Sequence, residues 1–146
     1  MKINMLRTIT LIVLVLIGCF NTTAQDKHWL SYEPAIVELE GTVIVVRKYG
    51  LPNFGEQPKT DAKWRVPILV LTKPVNVRGN SEDVLNSESV EGLRRIQLSF
   101  YNLEISHKRF IGKRVRVKGT LFHAITGHQF TKVVINVDSI EVIKRR

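Results

Sequence analysis

The feature that most constrains this chain is an alternation of apolar and polar residues with a period of two, rich in β-branched side chains, between Tyr32 and Ile143. Neighbouring side chains of a β-strand point to opposite faces of the sheet, so the alternation predicts strands with one buried face rather than amphipathic helices. In the first strand the apolar face consists of Val37, Leu39, Val43 and Val45. Gly41 falls on the same face in mid-strand and predicts a bend of the kind that a small closed barrel requires.

Four further segments show the same pattern. They are Val66–Leu71 with its continuation Val75–Val77, Arg95–Tyr101, Arg114–Phe122, and Thr131–Ile143 with an irregularity near Ser139. Pro67 and Pro74 are expected to confine the second strand to a sheet edge or to lie at its ends, because proline donates no hydrogen bond to the ladder.

The segments between the strands carry turn residues and one helix candidate. Lys48–Lys63 predicts a loop, residues 79–92 predict a polar excursion, and Ala124–Phe130 predicts a hairpin tip. Leu103–Ile111 predicts one or two helical turns closed by Gly112. Five strands with the helix candidate between the third and the fourth predict an all-β fold, a small five-stranded barrel of the oligonucleotide/oligosaccharide-binding (OB) type.

The length and composition fit a single domain. The chain has 146 residues, with 22 Lys and Arg against 13 Asp and Glu and 44% hydrophobic residues. These values exclude collagen-like repeats, long disorder and a disulfide-dense scaffold.

Residues 1–24 are interpreted as a targeting segment, which leaves residues 25–146 as the domain. Lys2 and Arg7 precede the apolar run Ile9–Phe20, and this order is typical of a secretory signal peptide. A helix over that run spans about 18 Å, too short to cross a hydrocarbon core of about 30 Å.

Two processing routes fit this segment. Thr22-Thr23-Ala24 presents small residues for cleavage before Gln25. Leu16-Ile17-Gly18-Cys19 resembles a bacterial lipobox, in which Cys19 becomes the lipidated first residue and tethers the domain to a membrane. Both routes predict export, to the periplasm or medium in the first case and to a membrane surface in the second. Cleavage after Ala24 removes the single cysteine, so the domain has no disulfide, thiolate metal site or cysteine nucleophile.

A basic stripe is predicted on the fourth strand. Arg114, Arg116 and Lys118 alternate with Val115 and Val117, so the three cations share one face about 7 Å apart. The stripe is either an anion-binding platform or the solvated outer face that charged strands normally present.

His123 and His128 flank the predicted hairpin tip and are candidates for a shared metal ion. A catalytic zinc ion needs three protein ligands, and the sequence offers no third ligand for this pair. The alternative is that the two histidines hold the tip through hydrogen bonds to the backbone. Glu38 and Glu40 lie on one strand face and resemble a carboxylate pair, but the polar side of a half-buried strand predicts solvated side chains.

The loop Lys48–Lys63 carries or adjoins three aromatic residues with a predicted binding role, Tyr49, Phe54 and Trp64. Pro52-Asn53-Phe54-Gly55 is a turn signal, and loops of this kind at a barrel mouth often bind ligands. Sequence motifs of nucleophile elbows, phosphate-binding loops, metalloproteases and dinucleotide-binding folds do not occur, so no catalytic residue is predicted.

Several short motifs together resemble a family of small exported bacterial domains that is known only as a domain of unknown function. The motifs are Tyr32-Glu33-Pro34-Ala35, Val37-x-Leu39-x-Gly41, Pro52-Asn53-Phe54, Leu71-x-x-Pro74, Ile96-Gln97-Leu98, and the stretch from Gly112 to His128 with Gly119-Thr120-Leu121-Phe122-His123-Ala124 and Thr126-Gly127-His128. The resemblance implies an exported OB-like barrel without an established activity.

The chain departs from that family at two places. Gln129 and Phe130 stand where family members carry further histidines, which argues against a shared metal-binding role. Trp29 and Asn76 stand where the resemblance implies two cysteines, and their joint replacement is expected if those cysteines form a disulfide in the family.

Together these features favour an exported, non-catalytic module of the cell envelope that binds a ligand or a protein and needs no cofactor. The predicted contact surface is the loop Tyr49–Trp64 with the tip Ala124–Phe130, and the expected partner is an envelope protein, an anionic lipid or a glycan. A membrane is a partner only if Cys19 is lipidated. Two alternatives are a metal-dependent enzyme that uses His123 and His128, and a nucleic-acid-binding OB domain, which export disfavours.

Overall fold

The computed structural model describes residues 29–101 and 103–144; the predicted targeting segment, with Cys19, lies outside them. The described residues form six strands: β1 Trp29–Ser31, β2 Ile36–Tyr49, β3 Lys63–Arg78, β4 Val90–Ser99, β5 Arg114–His123 and β6 Val133–Val142. A single 3₁₀ turn, His107–Phe110, lies between β4 and β5 and is followed by Gly112 at a φ of 75°. No helix in this part of the chain has the length and hydrophobicity to cross a bilayer.

Five of the six strands close into a ring. The sheet order is β1-β3-β2-β5-β6-β4, and an additional pairing of β3 with β4 joins the two sides. β4 and β6 run parallel, the other ring neighbours run antiparallel, and β1 adds to β3 outside the ring. With the helical turn between the third and fourth ring strands, this is the predicted all-β OB-like barrel, and β1 is the one strand that the sequence pattern did not predict.

The ring interior is filled by the side chains that the alternation predicted. Each ring strand contributes residues to one buried apolar cluster, which includes Val37, Leu39 and Val43 of β2, Leu69 and Leu71 of β3, Ile96 and Leu98 of β4, Val115, Val117 and Leu121 of β5, and Ile135 and Val137 of β6. Phe110 of the 3₁₀ turn is 3% exposed and belongs to the same cluster. The helical turn therefore covers part of the core.

The two prolines lie within a strand that has neighbours on both sides, so their predicted confinement to a sheet edge or strand end is wrong. Pro67 directly precedes Ile68, which forms the first pair between β3 and β4 with Gln97. Pro74 lies where the β3–β4 register shifts. Proline is tolerated at both positions because the β3–β4 ladder does not extend to Pro67 and is interrupted at Pro74.

Gly41 lies where three strands meet. It pairs with Leu71 of β3 and with Val115 of β5, and a Cβ atom at this position would lie 2.3 Å from the backbone oxygen of Val70. Glycine is required here by the close approach of the neighbouring backbone.

The two positions at which the family resemblance implies cysteines are neighbours in this fold. Trp29 of β1 is the register partner of Asn76 of β3. The Asn76 side chain instead accepts a hydrogen bond from the backbone N–H of Gly92, 2.9 Å away.

Truncation of Ile135 should show how much the ring depends on its core. Ile135 is fully buried between Leu98 and Leu121, and Ile135→Ala is expected to lower the free energy of unfolding by about 2–5 kcal/mol because a cavity remains. Ile36→Ala is the matched control, since Ile36 is 61% exposed, and should change it by less than about 0.5 kcal/mol. Urea denaturation of residues 25–146 measures both, and equal losses would contradict the described core.

Candidate functional site

The loop between β2 and β3 and the hairpin tip between β5 and β6 meet in an aromatic cluster, which we define as Phe54, Trp64, His128 and Phe130. The rings of Trp64 and His128 are stacked, with centroids 4.8 Å apart and planes inclined by 20°. Phe54 contacts Trp64 edge-on at 6.3 Å and His128 at 6.4 Å, and Phe130 contacts Trp64 at 6.0 Å. The structure thus brings together the two segments that the sequence proposed as one contact surface.

The loop is organised around one buried carboxylate, that of Asp61. Its Oδ1 accepts hydrogen bonds from the backbone N–H of Asn53 at 2.9 Å and from the Asn53 side-chain amide at 3.1 Å. Its Oδ2 accepts from the backbone N–H groups of Gly55 at 2.7 Å and Gln57 at 3.2 Å. Burial raises the pKa of the Asp61 carboxyl, but these hydrogen bonds outweigh burial and hold the pKa below its usual range.

Phe54 occupies an unfavourable backbone conformation at an exposed position. Its φ is 50°, in the left-handed region that non-glycine residues rarely adopt, and its side chain is 44% exposed. Such a conformation costs about 1–3 kcal/mol and persists only where the surroundings determine it, here the Asp61 hydrogen bonds on either side of Phe54. The loop therefore holds a large apolar ring towards solvent at an energetic cost.

The hairpin tip is attached to β4 by Gln97. Ile96 and Leu98 point into the core, so Gln97 between them lies on the outer face of the barrel. Its side-chain amide donates to the backbone oxygen of His128 at 3.1 Å and accepts from the backbone N–H of Phe130 at 2.7 Å. Two hydrogen bonds from one side chain fix the direction of the tip relative to the sheet.

The aromatic cluster adjoins apolar residues on the outer face of the barrel. Val66, Ile68 and Val134 are 5% exposed or less and do not belong to the interior cluster. Trp64 precedes Val66 by two residues and shares its face of β3. Lys48, the cross-strand partner of Trp64, places its ammonium group 5.8 Å from the centroid of the Phe130 ring.

Tyr49, the remaining aromatic candidate, lies at the same end of the barrel but on the opposite face of the β2–β3 ladder from Trp64. It ends β2, is 40% exposed and pairs with Lys63, the residue before Trp64. A Cβ atom on Gly55 would lie 3.4 Å from its ring. All three aromatic residues singled out in the sequence therefore lie at one end of the barrel.

Two cations of the basic stripe on β5 are held in ion pairs. Arg114 lies 3.1 Å from Glu40, and Arg116 lies 2.8 Å from Glu40 and 3.1 Å from Glu141. The Arg116 Nε atom is 3.2 Å from Glu38 without hydrogen-bond geometry. The hydrogen bonds from Arg116 and then Arg114 lower the pKa of Glu40.

The β2–β5 register explains these ion pairs. Glu40 is directly opposite Arg116, and Glu38 is directly opposite Lys118. The two glutamates are partly exposed, as expected from the sequence, and they also pair with Arg114 and Arg116 of the stripe. Among the described residues, Lys118 has no carboxylate within 4 Å.

The two candidate metal ligands contact different groups. His123 has its Nδ1 3.1 Å from the backbone oxygen of Ala124 and its Nε2 3.5 Å from Glu88, while its ring meets Tyr32 edge-on. Burial, and then the charge of Glu88, raise the pKa of Tyr32 to about 12. His128 stacks on Trp64, and no group of three His, Cys, Asp or Glu that could hold a metal ion occurs among residues 29–101 and 103–144.

Three residues that build this site did not stand out in the sequence: Asp61, Gln97 and Lys48. Gln97 carries a signal in retrospect, because it is a long polar residue between two core residues of one strand. Asp61 carries a weaker signal, because it closes a loop rich in Gly, Pro and Asn, where carboxylates often accept backbone hydrogen bonds.

Comparisons with known proteins show similarity for part of the chain. Residues 95–141 match the model of a family described as a domain of unknown function (DUF4431). This match confirms the resemblance to an uncharacterised family, and its range includes Gln97 and the hairpin tip. No curated protein and no solved structure shows significant similarity to the chain.

Replacement of Gln97 tests the attachment of the tip. Gln97→Leu keeps the size of the side chain but removes both hydrogen bonds to the tip, and should lower the free energy of unfolding by about 1–3 kcal/mol. Amide hydrogen exchange gives the specific readout: protection of the Phe130 N–H should fall by more than that of Val137 in β6, which follows only the loss of global stability. Unchanged protection of Phe130 would contradict the attachment.

The Asp61 carboxylate predicts the pH at which the loop loses its order. Because the folded pKa lies below the unfolded value of about 3.9, the carboxylate stabilises the loop above that value, and the contribution is lost as pH falls through the folded pKa. The backbone amide resonances of Gly55 and Gln57, which donate to this carboxylate, should therefore keep constant chemical shifts from neutral pH down to about 4.

Asp61→Asn is the control for this titration. It places an amide N–H₂ group against backbone donors, so the Gly55 and Gln57 amide resonances should already differ from the parent at pH 7 and show no such acid transition. A transition well above pH 4, or the same profile in both proteins, would contradict the role of Asp61.

Proposed function

We propose that this chain is a non-catalytic binding module of the cell envelope and that the aromatic cluster with Tyr49 is its contact surface. The observation that carries the proposal is the meeting of the β2–β3 loop with the β5–β6 tip around Trp64 and His128. Counted along the ring strands β2 to β6, the β2–β3 loop joins the first and second strands of the OB-like barrel, and the β5–β6 tip joins the fourth and fifth. Barrels of this type bind oligonucleotides and oligosaccharides at those two loops.

The exposure of the aromatic side chains and the backbone strain at Phe54 support a binding role for this surface. Tyr49 and Phe54 are 40% and 44% exposed, and the Phe54 backbone is strained. Large aromatic side chains supply much of the free energy at binding interfaces, at a small cost in conformational entropy. Asp61 and Gln97 position the two segments before any partner arrives, which reduces the ordering cost of association.

The proposed location follows from the targeting segment. Export with cleavage before Gln25 gives a periplasmic or secreted domain, and modification at Cys19 gives a lipid-anchored one. The partner in either case is an envelope protein, an anionic lipid or a glycan.

The mass of the protein recovered from cells tests the proposed export. We expect a chain that begins at Gln25; a chain that begins at Cys19 with an added acyl mass is the lipid-anchored alternative. Recovery of the chain with Met1 intact contradicts export.

Capture of envelope components on two ring-removing variants tests the contact surface. Residues 25–146 are immobilised and exposed separately to protein, lipid and glycan fractions of the envelope. For a component that binds the parent, Phe54→Ala and His128→Ala should weaken binding about tenfold or more, as expected for central aromatic contacts.

Tyr101→Ala is the matched control, because Tyr101 is 91% exposed and lies outside the cluster. It should bind as the parent does. Binding that is unchanged in both cluster variants, or lost equally in the control, contradicts the proposed surface. Stoichiometric zinc in the parent that is absent in His123→Ala would instead favour the enzyme alternative.

A further inference from the structure

Two arginines face each other across the β2–β3 ladder. Arg47 of β2 is the register partner of Arg65 of β3, and both residues are exposed. Directly opposite residues of an antiparallel pair have their Cβ atoms about 4.5–5.5 Å apart on the same face, and like charges in this arrangement are destabilising. The sheet therefore contains an unfavourable contact between two cations. Replacement of either arginine by a neutral residue would remove this contact.

The charge of Arg65 also reaches His107, which lies on the 3₁₀ turn beside Phe100. Burial, and then the charges of Lys108 and Arg65, lower the pKa of His107. No carboxylate of residues 29–101 and 103–144 lies within 4 Å of the cationic groups of Arg47, Arg65 or Lys108.

This contrasts with the other arginine-rich face of the barrel. Arg114 and Arg116 on β5 have Glu38, Glu40 and Glu141 as partners supplied by the neighbouring strands. At the Arg47–Arg65 position the neighbouring strands supply no such partner. A bound anion would provide the missing countercharge.

The cation pair is separate from the aromatic cluster. The next pair along the ladder, Lys48 with Trp64, points to the opposite face of the sheet, because successive side chains alternate. Arg47 and Arg65 continue the face of Val43 and Leu69 beyond the end of the core. A ligand held here and a partner on the rings of the aromatic cluster would occupy different faces of one ladder, while Tyr49 shares the face of Arg47 and Arg65.

We propose that Arg47 and Arg65 form a binding site for a phosphate group. Two guanidinium groups can each donate two hydrogen bonds to a tetrahedral oxyanion. A phosphate monoester carries about 1.5–2 negative charges at neutral pH, which these cations match. Free phosphate and a phosphorylated lipid headgroup offer the same chemistry.

Titration of residues 25–146 with inorganic phosphate, against sodium chloride at equal ionic strength, tests this site. Phosphate should raise Tm in a concentration-dependent manner that chloride does not reproduce. Arg47→Gln and Arg65→Gln should each weaken phosphate binding, measured by calorimetry, by about tenfold or more, the effect of one lost charge-assisted contact. Without phosphate, neither variant should be less stable than the parent, because each removes a like-charge contact.

Arg94→Gln is the matched control, because Arg94 is an exposed arginine of β4 that has the same charge and no carboxylate within 4 Å among the described residues. It should bind phosphate as the parent does. Equal effects of phosphate and chloride, or equal losses in all three variants, would overturn the proposal.

Vesicles distinguish the two sources of the phosphate group. Binding to phosphatidylcholine vesicles that contain phosphatidate, lost in Arg47→Gln, identifies a headgroup site; binding of inorganic phosphate alone identifies a free-phosphate site. Phe54→Ala should leave both measurements unchanged, so failure of this site and failure of the aromatic contact surface are distinguishable.

Discussion

Closure of the ring through β3, β4 and β6 is the constraint on which the rest of the structure depends. Once β4 pairs with β3 on one side and with β6 on the other, every ring strand has one face towards a single core. The residues that alternate with these core residues along each strand must then face outward. Gln97 faces outward because Ile96 and Leu98 face inward, and the hairpin tip is held where Gln97 can reach it. The position of the contact surface thus follows from the pairing of the strands.

Much of this arrangement could be predicted from the sequence, because side-chain alternation reports directly on burial. The inward faces of β2, β4 and β5, the single helical turn before Gly112 and the hairpin tip all follow from local patterns. β1 could not be predicted, since three residues are too few to show a period. The sequence also could not show that β3 continues through Pro74 as one strand. Proline is tolerated there because the β3–β4 pairing shifts its register at that point, which only the structure reveals.

The candidate site shows the same division. Loop composition and exposed aromatic residues pointed to Tyr49, Phe54 and Trp64, but which rings meet depends on contacts between segments far apart in the chain. The stacking of His128 on Trp64 and the attachment of Phe130 to Gln97 are contacts of this kind. The basic stripe on β5 also shows what local patterns omit. The alternation correctly predicted that its residues share one face. The net charge of that face depends on the neighbouring strand, and β2 supplies glutamates there.

The central claim is that two segments separated by about half the chain form one pre-positioned aromatic surface. Nuclear Overhauser effects between the Trp64 indole and the ring protons of His128 and Phe130, recorded on residues 25–146 without any partner, test it most directly. Cross-peaks from Trp64 to both rings are expected, since their centroids lie 4.8 and 6.0 Å from it. Absence of both sets of cross-peaks in a folded protein would contradict it.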